Sequence, residues 1–391
     1  IITQSEIERV LFMNHRQVNQ LYGEGERITC EWEHKSPADY GLSVKIYTGS
    51  GLEPWSPKTI DNVGCGGSET TAAWMAKEIT KLGNRVILYG PIRGVYDGVI
   101  YSRTPSGEPC DVFISSRIPE LFEAPITAKV KLLWAHDIHC GPKLTPKIAK
   151  SIDGIIVLSH WHLDYMKKCY PFLKDAPVLD YGFPKTYEDD APHPVFDGPI
   201  PSKVPYMIIL PHGIYPERFS GDIVKVPNSF IWSSSPDRGL KELLEMWLLI
   251  KKELPSATLN IYYGWEYFDT SLHIPELREL KATLLKLIKQ DGVTWKGRVG
   301  QINLAKAFME TEYWLYPPHS FRETFCITAL EAMAAKVKCL YRENGALGEV
   351  LGGRGLPIND NIIDIINKGN MIDLEANREF ALKQTWESKA R

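Results

Sequence analysis

Glu323 and Glu331 stand eight residues apart in the run PPHSFRETFCITALEAMAA that spans 317–335. Carboxylates are paired acceptors, and so suit the hydroxyl groups of sugars. Within the run, Phe325, Ala329, Ala332 and Met333 recur at helical offsets. The pattern predicts a helix that begins near Thr324 and lays a small-residue face on a sheet. The first turn of a helix has unpaired N–H groups and about half a positive charge, so it can hold a phosphate. Eight residues of helix cover about 12 Å at roughly 1.5 Å per residue. A diphosphate on Thr324, Phe325 and Cys326 would therefore have one Glu on its outer side and the other farther back. A nucleoside diphosphate sugar has hydroxyls on both sides of such a group. The helix dipole also favours Glu near any surface helix start, so the pair alone admits a purely structural reading.

The elements that must position these carboxylates come as two α/β series. In the first, a strand at Val44–Tyr47 leads through Gly64-Cys65-Gly66-Gly67-Ser68-Glu69 into a helix. Ser68 is its expected cap, Ala72, Met75, Ile79 and Leu82 make its stripe, and Gly83 ends it. Short apolar strands follow at 85–89, 112–115, 130–134, 154–158 and 207–210, as expected for parallel strands buried on both faces. The pattern restarts near Ser220. Strands at 228–232, 258–263, 293–295, 313–316 and 338–340 alternate with helices around 276–290, 301–310 and 324–335. Ser235 is the expected cap of a further helix, with Pro236 at its first position. The chain thus reads as two doubly wound α/β domains, which at 391 residues it is long enough to build.

Ligands of such sheets sit beyond the carboxyl ends of the strands. Gly66 and Gly67 fall there, and lacking side chains they let a phosphate or sugar approach the backbone. His136 and Asp137, with His139, follow the strand ending at Trp134; a histidine there can also be a satisfied buried polar group. Arg238 is expected in the first turn of its helix, where a cation is mildly unfavourable, and that placement argues for an anion nearby. Lys296-Gly297-Arg298-Val299 makes a basic turn after a strand. No further carboxylate cluster lies near His136, which argues against metal.

The string Glu, seven residues, Glu, then Ala-Met-Ala resembles the signature of glycosyltransferase family 4, retaining enzymes of the GT-B fold. The pieces at 66–69, 136–137, 209–219, 233–239, 297–299 and 317–335 come in that family's order and span most of the chain. The resemblance implies GT-B architecture, two Rossmann-like domains facing across a cleft. Residues 1–220 would form the acceptor side, with 1–43 as a peripheral addition. Residues 221–375 would bind the donor nucleotide, and a helix at 376–391 would cross back to the first domain. Gly66 and Gly67 would line the cleft, His136 would lie at the reacting centre, and Asp137 is the acceptor-side alternative. Arg238 and the Thr324–Cys326 turn would hold the diphosphate, the backbone at Arg298 and Val299 the base, Glu323 the donor sugar, and Glu331 the ribose. Trp232 stands where many members have Arg, a departure that leaves one phosphate contact either missing or supplied by Ser233 and Ser234. His212-Gly213-Ile214 is expected to be mostly structural.

The implied reaction is transfer of a hexose from a GDP- or UDP-sugar, with a lean to GDP-mannose, to a glycan or other hydroxyl acceptor with retention. No carboxylate stands out as a nucleophile for double displacement, so front-face attack is expected, with no cofactor and no catalytic metal. An epimerase or hydrolase of related fold and a non-catalytic nucleotide-sugar binder remain alternatives. A dinucleotide-dependent dehydrogenase is disfavoured because no GxGxxG follows the first strand. The formal charge of −3 makes no case for nucleic acid. The seven cysteines are scattered without a CxxC pair, which suits reduced thiols in the cytoplasm. No apolar run is long enough to span a bilayer, which leaves peripheral contact through a surface patch.

Overall fold

The computed structural model describes residues 41–49, 55–185, 192–318, 321–358 and 361–391. The expected peripheral addition lies almost wholly outside these, and Ser43 already belongs to the first strand. Among the described residues, fifteen strands form two sheets. The first contains β1 (Ser43–Tyr47), β2 (Arg85–Tyr89), β3 (Gly94–Tyr96), β4 (Val99–Ser102), β5 (Cys110–Ser116), β6 (Ala128–Trp134), β7 (Gly154–Val157), β8 (Val178–Asp180) and β9 (Tyr206–Ile209). Their order is β3-β4-β2-β1-β5-β6-β7-β9-β8, parallel except for the β3–β4 hairpin. The second contains β10 (Val226–Trp232), β11 (Thr258–Ile261), β12 (Val293–Trp295), β13 (Thr311–Tyr316), β14 (Lys338–Tyr341) and β15 (Leu356–Pro357), all parallel, in the order β12-β11-β10-β13-β14-β15.

Both sheets reverse their winding beside the first strand of each series, β1 against β5 and β10 against β13. That reversal opens the crevice in which such sheets take ligands. The strands flanking it are apolar on both faces because helices cover both: Ile46, Leu88, Phe230, Ile231, Trp314 and Leu315 are all buried. The hairpin β3–β4 and the edge strand β8 were not part of the sequence reading, being short and weakly patterned.

Three helix starts differ from expectation, each for a local reason. The Gly67–Lys81 helix is capped by Gly66, and Ser68 lies inside its first turn. Pro236–Arg238 forms a separate 3-10 turn, because Gly239 at φ +109° breaks the path before the Leu240–Glu253 helix. Arg238 thus precedes the helix instead of lying in its first turn. The helix expected from Thr324 begins at Ile327, since Cys326 at φ +79° holds the chain in a left-handed turn.

The chain ends in helices Leu374–Leu382 and Trp386–Ala390. The second lies on the first domain, where the buried Trp386 meets Trp74 edge to face with ring centroids 5.8 Å apart. Thr385 bridges to Ile214, and Gly213 is required there because a Cβ would sit 2.5 Å from the Trp386 nitrogen. That accounts for His212-Gly213-Ile214 as structural.

Candidate active site

The two sheets meet along a seam built from the loops at their carboxyl ends. A Cβ on Gly64 would approach the Val299 carbonyl oxygen to 2.6 Å, and one on Gly300 would overlap the Asp61 carbonyl oxygen. Glycine at both positions lets the loop before Gly66 close on the loop after β12. Arg218 reaches from the crossover to Asp61 at 2.6 Å, beside a cavity of about 420 Å³ that Tyr215, Ile302, Lys306 and Met309 also line.

Deeper in the seam, Thr324 joins the domains twice. Its hydroxyl donates to the His136 carbonyl oxygen at 2.9 Å, and its own carbonyl accepts from the Ser159 hydroxyl at 2.8 Å. Phe325 is buried between Phe183 and His212, with centroids at 5.7 and 5.2 Å. Cys326 is buried too, and burial first and Glu323 second push its thiol well above the usual range, which makes it an inert neutral group. The turn therefore reaches the cleft through its backbone.

Glu323 is almost fully buried. The Tyr316 hydroxyl donates to its Oε1 at 2.5 Å, and Arg238 Nη1 stands 3.5 Å from the same oxygen. Arg238 also covers the Phe321 ring at 4.4 Å, and its Nε is buried with no hydrogen-bond partner among the described residues. The Ser233 hydroxyl beside this turn is likewise buried and unpartnered. Ser234 offers its carbonyl to Trp232 Nε1 at 2.7 Å, so its backbone is committed to the protein. Unsatisfied donors at Ser233 and Arg238, both on the turn after β10, are costly unless a ligand or water meets them.

Glu331 lies one helical span beyond, also buried. Burial pushes its carboxyl up to about 7, with Arg218 opposing, and no hydrogen bond or ion pair among the described residues engages the carboxylate. An unpaired buried carboxylate of this kind marks a functional position. The chain thus spaces Glu323, the turn at Cys326 and Glu331 as the sequence implied, though the helix contributes its N–H groups from Ile327 onward.

On the first domain, Gly66 and Gly67 start the Gly67–Lys81 helix, and a Cβ on Gly67 would meet nothing within 4 Å. His136 follows β6, its ring 4.9 Å from Trp134 and 5.8 Å from His212. Both its ring nitrogens are buried without partners among the described residues, and burial, aided by Arg117 and His162, pushes its pKa down to about 3. The imidazole is therefore neutral at physiological pH. Asp137 is exposed and bound in two places by Arg117, Nε to Oδ2 at 2.8 Å and Nη2 to Oδ1 at 2.9 Å. Arg117 Nη1 also donates to the Ser68 hydroxyl at 3.2 Å, which in turn donates to Glu69.

Tyr316 and Arg117 were missed by the sequence reading. Arg117 sits at the carboxyl end of β5, a position where ligand loops gather, so its place was open to inference. For Tyr316 no signal existed, because a tyrosine closing a buried strand looks like core. Among the described residues no group of three or more His, Cys, Asp or Glu side chains is arranged to hold a metal ion.

Residues 230–364 match the family model of glycosyl transferases group 1. The second domain is a group 1 glycosyltransferase domain. The chain shares its two-domain GT-B fold with solved structures at low identity. Sucrose-phosphate synthase from Thermosynechococcus elongatus is 12% identical with a TM-score of 0.63, covering 90% of this chain and 96% of its own. AviGT4, a glycosyltransferase involved in avilamycin A biosynthesis, is 16% identical with a TM-score of 0.57, covering 90% and 95%. A glycosyltransferase from Rickettsia africae is 13% identical with a TM-score of 0.58, covering 90% and 96%. No curated protein sequence matches the chain. Among the described residues no helix is long and apolar enough to cross a membrane.

Proposed function

We propose that the protein transfers a hexose from a nucleoside diphosphate sugar to a hydroxyl acceptor with retention at the anomeric carbon. The observation that carries this reading is the buried pair Glu323 and Glu331 flanking the turn at Cys326, with Arg238 beside Glu323. The nucleotide occupies the second domain and the acceptor enters from the first. Glu331 accepts from the ribose hydroxyls, and the backbone at Arg298 and Val299 borders the base. The turn from Thr324 to Cys326, the first N–H groups of the Ile327–Ala334 helix, Ser233 and Arg238 receive the diphosphate. As the bond from the anomeric carbon to the leaving oxygen breaks, negative charge grows on the diphosphate and positive charge on the sugar ring. Arg238 and the helix start stabilise the first, and Glu323 orients the sugar and offsets the second.

His136, neutral and with free ring nitrogens, serves as a hydrogen-bonding partner of the sugar or acceptor near the reacting centre. Asp137 is less suited to that place because Arg117 already engages both its oxygens. Glu323 and Glu331, the carboxylates that flank the turn, are assigned to the sugar and to the ribose, which favours front-face attack over double displacement. No cofactor or catalytic metal is required, since Arg238 and the helix start already supply positive charge at the leaving group. The seven cysteines are scattered without a CxxC pair, which favours a cytoplasmic setting. GDP-mannose is the first donor to try.

Calorimetry of UDP, GDP and ADP without metal, on wild type and Glu331→Ala, tests the donor site. Loss of charge-assisted bonds to the ribose is expected to weaken the preferred nucleotide about tenfold to a hundredfold. Binding to the wild type should also weaken as pH falls through about 7, because protonated Glu331 loses acceptor capacity. Unchanged affinity in the variant would remove Glu331 from the site. Incubating donor with and without a sugar acceptor then separates transfer from hydrolysis or mere binding.

A further inference from the structure

Tyr316 closes β13 at the floor of the candidate donor site, with its side chain buried in the second domain. Its ring is held between two tryptophans, Trp314 at 4.9 Å and 11° between planes and Trp232 at 5.2 Å and 31°. Stacking of this kind leaves the ring one position, so the hydroxyl is aimed rather than free to search. Burial, and then the charge of Glu323, push the phenol well above its usual range, so it stays protonated and donates to the carboxylate, which can only accept. The hydrogen bond to Glu323 Oε1, at 2.5 Å, is short, as expected when a neutral hydroxyl meets a carboxylate.

Glu323 is pinned from its backbone as well. Its carbonyl accepts from the Ala346 nitrogen at 2.7 Å, and Gly345 packs so closely that a Cβ there would come within 2.3 Å of that oxygen. With the main chain fixed and Oε1 taken by Tyr316, no hydrogen bond among the described residues reaches Oε2. That oxygen is what remains for a ligand. Trp232 supports the same arrangement, since its indole Nε1 is tied back to Ser234 while its ring carries Tyr316.

We propose that Tyr316 is a positioning residue for glycosyl transfer, fixing Oε1 of Glu323 so that Oε2 is presented to the donor sugar. The proposal rests on the reading of Glu323 as a donor-sugar residue. Positioning of this kind acts on the transition state more than on nucleotide binding, because the nucleotide is held elsewhere, by Glu331 and the turn after β10. Removing the hydroxyl therefore separates turnover from affinity.

The test compares wild type, Tyr316→Phe, Glu323→Ala and the double variant. Release of nucleoside diphosphate is followed from GDP-mannose, UDP-glucose and UDP-N-acetylglucosamine in the presence of a panel of sugar acceptors. Phenylalanine retains the stack between Trp232 and Trp314, and thermal unfolding checks that the fold is kept. The expected result is a kcat about tenfold lower in Tyr316→Phe, with the affinity for the free nucleotide within about twofold of wild type. In the Glu323→Ala background the same change should cost nothing more. A kcat within twofold of wild type would overturn the proposal and leave the proposed function standing. A full additional loss in the Glu323→Ala background would overturn it too, since Tyr316 would then act by another route. If Tyr316→Phe unfolds, Glu323→Gln takes over the comparison: the glutamine amide keeps an acceptor for Tyr316, so it should retain more turnover than Glu323→Ala, and equal loss in both would refute the positioning bond. A wild type that releases nucleotide from none of the three sugars would sink the proposed function, and this inference with it.

Discussion

Arg238→Ala is expected to lower kcat/KM for the nucleotide sugar by about 10³-fold, roughly 4 kcal/mol of transition-state stabilisation. The guanidinium stands on the Pro236–Arg238 turn at the carboxyl end of β10, 3.5 Å from Glu323 and 4.4 Å over the centre of the Phe321 ring. Its Nε has no partner among the described residues, so at least one donor is open to a ligand. Negative charge on a departing diphosphate grows as the bond to the sugar breaks, so a fixed cation there is worth more in the transition state than in the bound donor. Arg238→Lys should recover only part of the loss, since an ammonium lacks the planar fork and the stack on Phe321. Steady-state rates of nucleotide release for the three proteins decide it, and a loss in the alanine variant below tenfold would exclude Arg238 from the leaving-group site.

Glu349→Ala is expected to destabilise the protein by about 3 kcal/mol, read as a lower denaturation midpoint. Glu349 lies in the Leu347–Leu351 helix of the second domain and is buried, yet its partners belong to the first. Oε1 accepts from the His160 backbone at 3.0 Å and lies 3.0 Å from its Nδ1, and Oε2 accepts from the Trp161 backbone at 3.1 Å. The carboxylate thereby receives the first N–H groups of the His160–Cys169 helix, which Ser159 caps from the other side. Alanine would leave two buried donors unmet across the domain seam.

The clasp also titrates. His160 Nε2 lies 2.8 Å from Asp180, so its imidazole is bracketed by two carboxylates. Burial alone would push its pKa down, but the bonds to Glu349 and Asp180 outweigh it and raise the value above the ordinary one. A group with a raised folded pKa contributes stability that is full below its unfolded pKa of about 6.5 and fades as pH rises through the folded value. The difference between wild type and Glu349→Ala should therefore be larger at pH 6 than at pH 9. An equal difference at both would mean that His160 is not charged in the folded protein.

The strands around both crevices were legible because their residues are apolar on both faces, and a pattern of that kind arises from burial that local sequence records. Leu133, Trp134, Ile231 and Leu315 could hardly lie anywhere else. Helix starts were less legible wherever a left-handed residue intervened. Gly239 and Cys326 each move a start by a few residues, and for Cys326 only the packing of the turn against His136 and Ser159 explains a conformation that a cysteine rarely adopts.

The site divides in the same way. The spacing of Glu323 and Glu331, and the turns at Gly66, His136 and Arg238, follow from the order of elements along the chain, so the sequence by itself determined two α/β domains and two carboxylates on either side of one helix start. Which of these groups are free for a ligand was decided only by the tertiary structure. Arg117 occupies Asp137, Tyr316 holds one oxygen of Glu323, and Glu349 reaches His160 across 189 positions of sequence. Such pairings depend on which loops the folded sheets bring together, and no local period or propensity carries that information.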